Sequence, residues 1–180
     1  MKNLKNNTNR NDVVMTPQEL AEALVNHFKP SGKILEPCKG EGIFLKYLPK
    51  DTLWCEITEG KDFMDFNGKV DWIITNPPWS KVRPFLQKGM KVSDNIVYLT
   101  ALAHLWFKAR LRDIRENNFG IKEIVTFDTP KSFPQGGFQI GAFHIQRGYK
   151  GDIKFKDLGK ITIEKPLIPI SHKIGGKKNG

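Results

Sequence analysis

Apolar and polar positions along the chain fall into two periods. Leu20, Ala23, Leu24 and Phe28 recur at helical spacing behind Thr16-Pro17-Gln18-Glu19, which reads as an N-cap, a proline at the first helical position and a carboxylate at the third. Pro30-Ser31-Gly32 stops this helix, and Lys33-Ile34-Leu35 reads as a short buried strand. Ile43, Phe44, Leu45 and Leu48 then return to helical spacing. Strands are predicted at 52–56, 72–75, 94–99, 121–127 and 141–149. One helix opens at Val82-Arg83-Pro84-Phe85-Leu86, and another covers 102–118 on Leu105, Trp106, Leu111 and Ile114. Ile153-Lys154-Phe155 and Ile161-Thr162-Ile163 read as an added hairpin. Strands alternating with helices are the pattern of an α/β sheet.

The chain ends read differently. Residues 1–12 are rich in Asn and Lys and have little to bury, so order is expected from Val13 onward and a mobile segment before it. A single domain is expected over 13–165, followed at 166–180 by a basic tail ending Ser171-His172-Lys173-Ile174-Gly175-Gly176-Lys177-Lys178-Asn179-Gly180.

Composition narrows the function classes. With 180 residues, 39% of them hydrophobic and 11% aromatic, the chain can build one globular core. A formal net charge of +10 concentrates polyanions around it, which makes nucleic acid a natural partner. Cys38 and Cys55 have neither disulfide-framework nor metal-site spacing, and His27, His104, His144 and His172 are scattered, so no metal is expected. Neither a signal-peptide core nor a membrane-length apolar run is present, and a soluble, cytoplasmic protein is expected.

The candidate chemistry lies in two stretches. The strand at 72–75 is cut off by Asn76-Pro77-Pro78-Trp79-Ser80, because prolines cannot donate ladder hydrogen bonds. The loop lies at a strand's carboxyl end, where open α/β sheets keep their ligands. The Asn76 side-chain carbonyl and the Pro77 carbonyl are acceptors, Pro78 stiffens the turn, and Trp79 offers a flat apolar face. Such a set suits a planar amine, whose delocalised nitrogen becomes a better nucleophile when two acceptors grip its hydrogens. An ordinary strand-to-loop turn with a buried Trp has the same sequence.

Upstream, Glu36-Pro37-Cys38-Lys39-Gly40-Glu41-Gly42-Ile43-Phe44 is a strand end, a glycine turn and an apolar restart, where missing side chains let a ligand approach the backbone. Glu36 at the strand end favours a ligand with an amino group over a bare phosphate. Glu56, ending the next strand, is placed to accept two ribose hydroxyls, and Asp62-Phe63 suits an adenine ring. A loop acid beside a core Phe fits Asp62-Phe63 equally well.

Together, Glu36-Pro37-x-x-Gly40-x-Gly42-x-Phe44 and Asn76-Pro77-Pro78-Trp79 resemble the S-adenosylmethionine-dependent amino-methyltransferases, above all the adenine-specific DNA methyltransferases with an Asn-Pro-Pro-aromatic motif. The resemblance spans 15–149. It implies a Rossmann-like class I methyltransferase fold: a mostly parallel seven-stranded sheet with an antiparallel last strand and helices on both faces. It also implies S-adenosyl-L-methionine as cofactor, with Thr16 and Pro17 over its methionine part and Glu36, Pro37, Gly40, Gly42 and Phe44 around it. Glu56 would take the ribose, and Asp62 and Phe63 the cofactor adenine. Asn76, Pro77, Pro78 and Trp79 would take the target base, with Asn76 also touching cofactor. Trp79 departs from the commoner Tyr or Phe, keeping a stacking face without a hydroxyl.

Ser80 and the loop residues Lys131, Phe133 and Phe138 are further candidates for substrate contact, although a surface loop with a buried Phe fits the loop as well. Lys108, Arg110, Arg112 and Arg115 form either a solvated helix face or a phosphate-contacting one. The implied activity is methylation of the adenine 6-amino group in nucleic acid, DNA first, in a bacterial or phage-infected cell. Larger members of the family carry a target-recognition region that no stretch here is long enough to be, so a separate recognition subunit is a candidate partner. The alternatives are RNA adenine methylation, methylation of a glutamine side-chain amide in a protein, and a non-catalytic nucleic-acid-binding module.

Overall fold

The computed structural model describes residues 14–133 and 135–161. The expected mobile N-terminal segment, the basic tail and the Thr162-Ile163 half of the hairpin lie outside them.

The strands are β1 (Ile34–Glu36), β2 (Leu53–Trp54), β3 (Val70–Thr75), β4 (Ser93–Ala101), β5 (Phe119–Thr126), β6 (Ile140–Arg147) and β7 (Lys154–Asp157). They form one seven-stranded sheet in the order β2-β1-β3-β4-β6-β5-β7. All pairings are parallel except those of β6, which runs antiparallel between β4 and β5. The antiparallel strand is thus the one expected at 141–149. The first half of the expected hairpin is β7, whose Lys154 to Asp157 align in parallel with Glu123 to Thr126 at the sheet edge.

Three α-helices, α1 (Gln18–Phe28), α2 (Val82–Val92) and α3 (Lys108–Glu116), cover the sheet. Side chains alternate across it, since successive Cβ atoms of a strand point to opposite faces. Ile74, Val97, Leu99 and Ala142 pack with Leu20, Leu24 and Phe28 of α1, whereas Ile73, Ile96, Tyr98 and Phe143 pack with Phe85, Leu86 and Met90 of α2 and Ile114 of α3. Both faces are therefore buried under helix, as continuous apolar strands require.

Three local expectations are corrected. Pro17, not Thr16, holds the N-cap position of α1, with no side-chain cap, because the Thr16 hydroxyl is engaged by Asn76. Residues 43–48 form only a 3-10 turn, Phe44–Lys46, because Gly42 at φ +76° and Pro49 bracket too short a segment for a longer helix. The helix over 102–118 is broken into a 3-10 turn at Leu102–His104 and α3, and Trp106 and Phe107 fall in the gap. Leu105, Trp106 and Phe107 are consecutive and cannot share one helix face.

Candidate functional site

The strand order reverses beside β1, with β2 on one side and β3 on the other, and the carboxyl ends of β1 and β3 open onto the resulting crevice. Glu36 ends β1 and Thr75 ends β3. They are tied directly, the Thr75 hydroxyl donating to Glu36 Oε1, which also accepts the Cys38 N–H at 3.0 Å. Glu36 is 1% exposed, and its Oε2 has no hydrogen-bond partner among the described residues. Burial raises its pKa to about 8, against the hydrogen bonds from Thr75 and Cys38. The neutral form is thus favoured at pH 7, with its proton on Oε2 because Oε1 already accepts two hydrogen bonds; Oε2 becomes an acceptor when the group ionises. Pro37 behind it is buried.

Asn76 stands one residue beyond Thr75. Its Nδ2 donates to the Val14 carbonyl at 2.8 Å and to Thr16 Oγ1 at 3.2 Å, and its Oδ1 accepts the Trp79 indole N–H at 3.1 Å. A pocket is lined by Thr16, Cys38, Lys39, Gly40, Phe44 and Asn76 among others, so the glycine turn, the 14–16 segment and the Asn-Pro-Pro loop meet there. Gly40 and Gly42 adopt φ +51° and +76°, which other residues rarely do; a Cβ on Gly40 would stand 3.6 Å from the Met15 methyl group. Pro17 starts α1 beside this segment but does not line the pocket.

Glu56 lies next to the turn. Its Oε2 accepts the Gly40 N–H at 2.9 Å, and its Oε1 accepts the Thr58 N–H and hydroxyl at 3.0 and 2.7 Å. Burial pushes this carboxyl up, but the bonds from Thr58 and Gly40 outweigh it and hold the pKa below the usual value. Glu56 therefore fixes the glycine turn as an ionised group. Close by, the Lys39 and Lys61 ammonium groups lie 4.1 and 3.5 Å from the centre of the Trp54 ring.

Asp62 Oδ1 accepts the Met64 N–H at 2.9 Å. Phe63, by contrast, is 2% exposed and packs on Phe85 at 5.3 Å, so its ring belongs to the core and offers no face to a ligand. The exposed apolar side chains beside Glu56 and Asp62 are instead Ile57 and Met64, which the sequence reading passed over. The available signal was position: each directly follows, or follows by two, an acid at the end of a strand or turn.

Around the Asn-Pro-Pro loop, Pro77 is buried, Trp79 is half-buried and Ser80 is exposed. The Trp79 ring lies 6.0 Å from Phe138, 6.3 Å from Phe133 and 6.4 Å from His104. Phe133 is 2% exposed and backs Trp79 from within the core, whereas Phe138 is exposed. Lys131 is exposed on the same loop. The structure thus brings Thr16, Gly40, Phe44 and Asn76 to one pocket, with Glu36 buried behind its Cys38 wall, and Trp79, Phe133 and Phe138 to one aromatic cluster, with Asn76 in contact with both.

The donor set fits an aminoacyl nucleoside cofactor. Glu36 Oε2 is buried with no partner among the described residues, Gly40 puts no side chain over the turn, and the Glu56 carboxylate stands against the Gly40 N–H. Among the described residues no helix is long and apolar enough to cross a membrane, and no group of three or more His, Cys, Asp or Glu could hold a metal.

No family model matches the chain, and neither does any curated protein. Solved structures do match. The chain is similar to a protein assigned as an RNA methyltransferase from Pyrococcus horikoshii, with TM-score 0.58 and 18% identity over 83% of this chain and 94% of that one. It is also similar to the M protein of the type I restriction enzyme EcoKI, with TM-score 0.54 and 15% identity over 75% of this chain. The match covers 44% of the EcoKI protein, so the chain spans less than half of that subunit. A third similar structure is assigned as a class I S-adenosylmethionine-dependent methyltransferase from Listeria monocytogenes, with TM-score 0.56 and 14% identity over 90% of this chain and 70% of that one. At such identities the likeness is one of fold, and the fold is that of the class I S-adenosylmethionine-dependent methyltransferases.

Proposed function

We propose that the protein methylates the 6-amino group of adenine in nucleic acid, DNA first, using S-adenosyl-L-methionine. The observation that carries this reading is the position of Asn76. It lines the pocket beside Gly40 and Thr16 and at the same time bonds to Trp79, so one side chain bridges a cofactor pocket and an aromatic target site.

In this reading Glu36 receives the cofactor's amino group, Glu56 its ribose, and Asp62 with Ile57 and Met64 its adenine. Pro17 helps place the 14–16 segment. The bound cofactor supplies a methyl group made electrophilic by its sulfonium. The protein's own part is positioning. Trp79 stacks on the flipped base, with Phe138 and the exposed Ser80 and Lys131 at its border, while Asn76 Oδ1 and the Pro77 carbonyl accept the two amino hydrogens. The surplus proton leaves to solvent after attack, and no strong base is required. Similarity of fold to a nucleic-acid-modifying subunit and to an RNA methyltransferase supports a polyanionic substrate, as does the charge of +10. Similarity of fold to the EcoKI M protein, a component of a restriction enzyme, also supports a separate recognition partner and a cytoplasmic setting.

The test is transfer of labelled methyl from S-adenosylmethionine to duplex DNA, single-stranded DNA, RNA and protein extract, with product nucleosides identified by mass spectrometry. Label in 6-methyladenine is expected. Label in protein glutamine alone would refute the reading. Asn76→Ala should bind cofactor and lose transfer by about 100-fold or more, the scale of one lost transition-state contact; normal turnover in that variant would sink the mechanism.

A further inference from the structure

Two large aromatic side chains stand in solvent just beyond the carboxyl end of β4. Trp106 is 50% exposed and Phe107 57%, although Leu105 immediately before them is fully buried. Burial in the core explains neither. Phe107 also holds the N-cap position of α3, where it makes no side-chain hydrogen bond and where Ser, Thr, Asp or Asn would be the stabilising choice. The first turn of α3 carries Lys108 and Arg110 and no acid, charges that the helix dipole disfavours there. Local folding preferences are thus contradicted three times within five residues, and such conflicts gather at functional positions.

Phe107, the second of them, continues the aromatic cluster around Trp79. The His104 ring lies 6.2 Å from Phe107 and 6.4 Å from Trp79, and Phe138 stands 6.0 Å from Trp79. A line of rings therefore runs from Phe138 through Trp79 and His104 to Phe107. Cations accompany it: the Arg110 guanidinium sits 4.8 Å from the Phe107 ring centre, and Lys108 and Arg112 are exposed beside it. The nearest acid on the helix, Asp113, is buried and held by Arg83 and Gln87, so it does not offset them at the surface.

We propose that Trp106, Phe107 and Arg110 form a stacking shelf for unpaired bases flanking the target nucleotide, which makes single-stranded nucleic acid, or an unpaired stretch of it, the bound partner. This rests on the reading of Trp79 as the target-base site and adds where the neighbouring nucleotides go. Exposed ring faces take base faces, and these are available only where bases are not already stacked in a duplex. The interleaved cations match the phosphates between them.

The probe is a fluorescein-labelled 12-mer of thymidylate, which holds no adenine and so reports binding apart from reaction. Anisotropy titration of the full chain at low salt is expected to show binding, weaker for a duplex of the same length. Trp106→Ala with Phe107→Ala should weaken single-strand binding ten- to a hundredfold, the scale of two lost stacking contacts. Cofactor affinity and melting temperature should stay unchanged, and Phe107→Trp in the Trp106→Ala background should restore part of the binding. Equal binding by wild type and the double variant overturns the shelf, as does absence of single-strand binding by the wild type. Binding that depends on the shelf, with no methyl transfer to any substrate, would support the shelf and overturn the reaction instead.

Discussion

Glu36→Gln separates the electrostatics of the pocket from its shape. Glutamine keeps a carbonyl oxygen for the Cys38 N–H and the Thr75 hydroxyl but removes the ionisable group. In the folded protein the Glu36 carboxyl titrates near 8, raised from 4.5 chiefly by burial. In the unfolded chain it ionises near 4.5, so between those values the native state holds a proton that the unfolded state has lost. Stability contributed by neutral Glu36 is complete below pH 4.5 and drains away as pH rises to about 8, at about 1.4 kcal/mol per pH unit. Over the whole interval this amounts to roughly 5 kcal/mol, a large share of a domain's total stability. Urea unfolding of both proteins from pH 4 to pH 9 is the assay. The two stabilities should run parallel below pH 4.5, then diverge in favour of the variant, with the gap levelling off above about pH 8. Saturating S-adenosylmethionine should close the gap in the wild type, because an ammonium against Oε2 stabilises the ionised form, and the variant should bind the cofactor more weakly. Parallel curves across the whole range would refute the account of Glu36 as a buried, half-satisfied acid.

His144 is the counterpart: burial and the nearby Lys122 lower its pKa from 6.5 to about 4, so the stability of its neutral form is lost as pH falls through that range. Between pH 4.5 and 6.5 the His144 and Glu36 slopes cancel, and His144→Gln should turn a flat stability profile into one that falls with pH by about 1.4 kcal/mol per unit. Gly141→Ala places a Cβ 2.4 Å from the Val125 carbonyl oxygen in the middle of the sheet and should destabilise by about 3 kcal/mol in chemical denaturation, with α-helical circular dichroism retained at low denaturant. Trp79→Phe keeps a ring and removes the indole donor, and should lower kcat about three- to tenfold with little change in cofactor Kd, the worth of one hydrogen bond. An unchanged kcat would show that the indole N–H has no part in the reaction.

The parts of the site carried by backbone constraint were legible in the sequence. Pro77-Pro78 had to end a strand, glycines 40 and 42 marked a turn, and Glu36 was placed at the end of β1. Aromatic positions were not, because whether one Phe is core or surface depends on what packs over it. Phe63 and Phe133 read as candidate ligand contacts and proved to be buried, while Trp106 and Phe107 read as part of a helix and emerged exposed. The sheet neighbour of β7 was hidden for a related reason. A four-residue run says nothing of which edge it joins, and Lys154–Asp157 joined the free edge of β5 in parallel.

The hydrogen bonds of Asn76 have a consequence for the direction of its amide. Turning the group by half a circle would set Oδ1 against the Val14 carbonyl oxygen and Nδ2 against the Trp79 N–H, two repulsions in place of two bonds. The flip is therefore closed to it, and the oxygen points toward the aromatic side whether or not anything is bound there. Water in an open cleft would have to reorient before it could support a reacting amine. An amide locked from both ends has already made that adjustment during folding, so its dipole needs no reorganisation when chemistry begins.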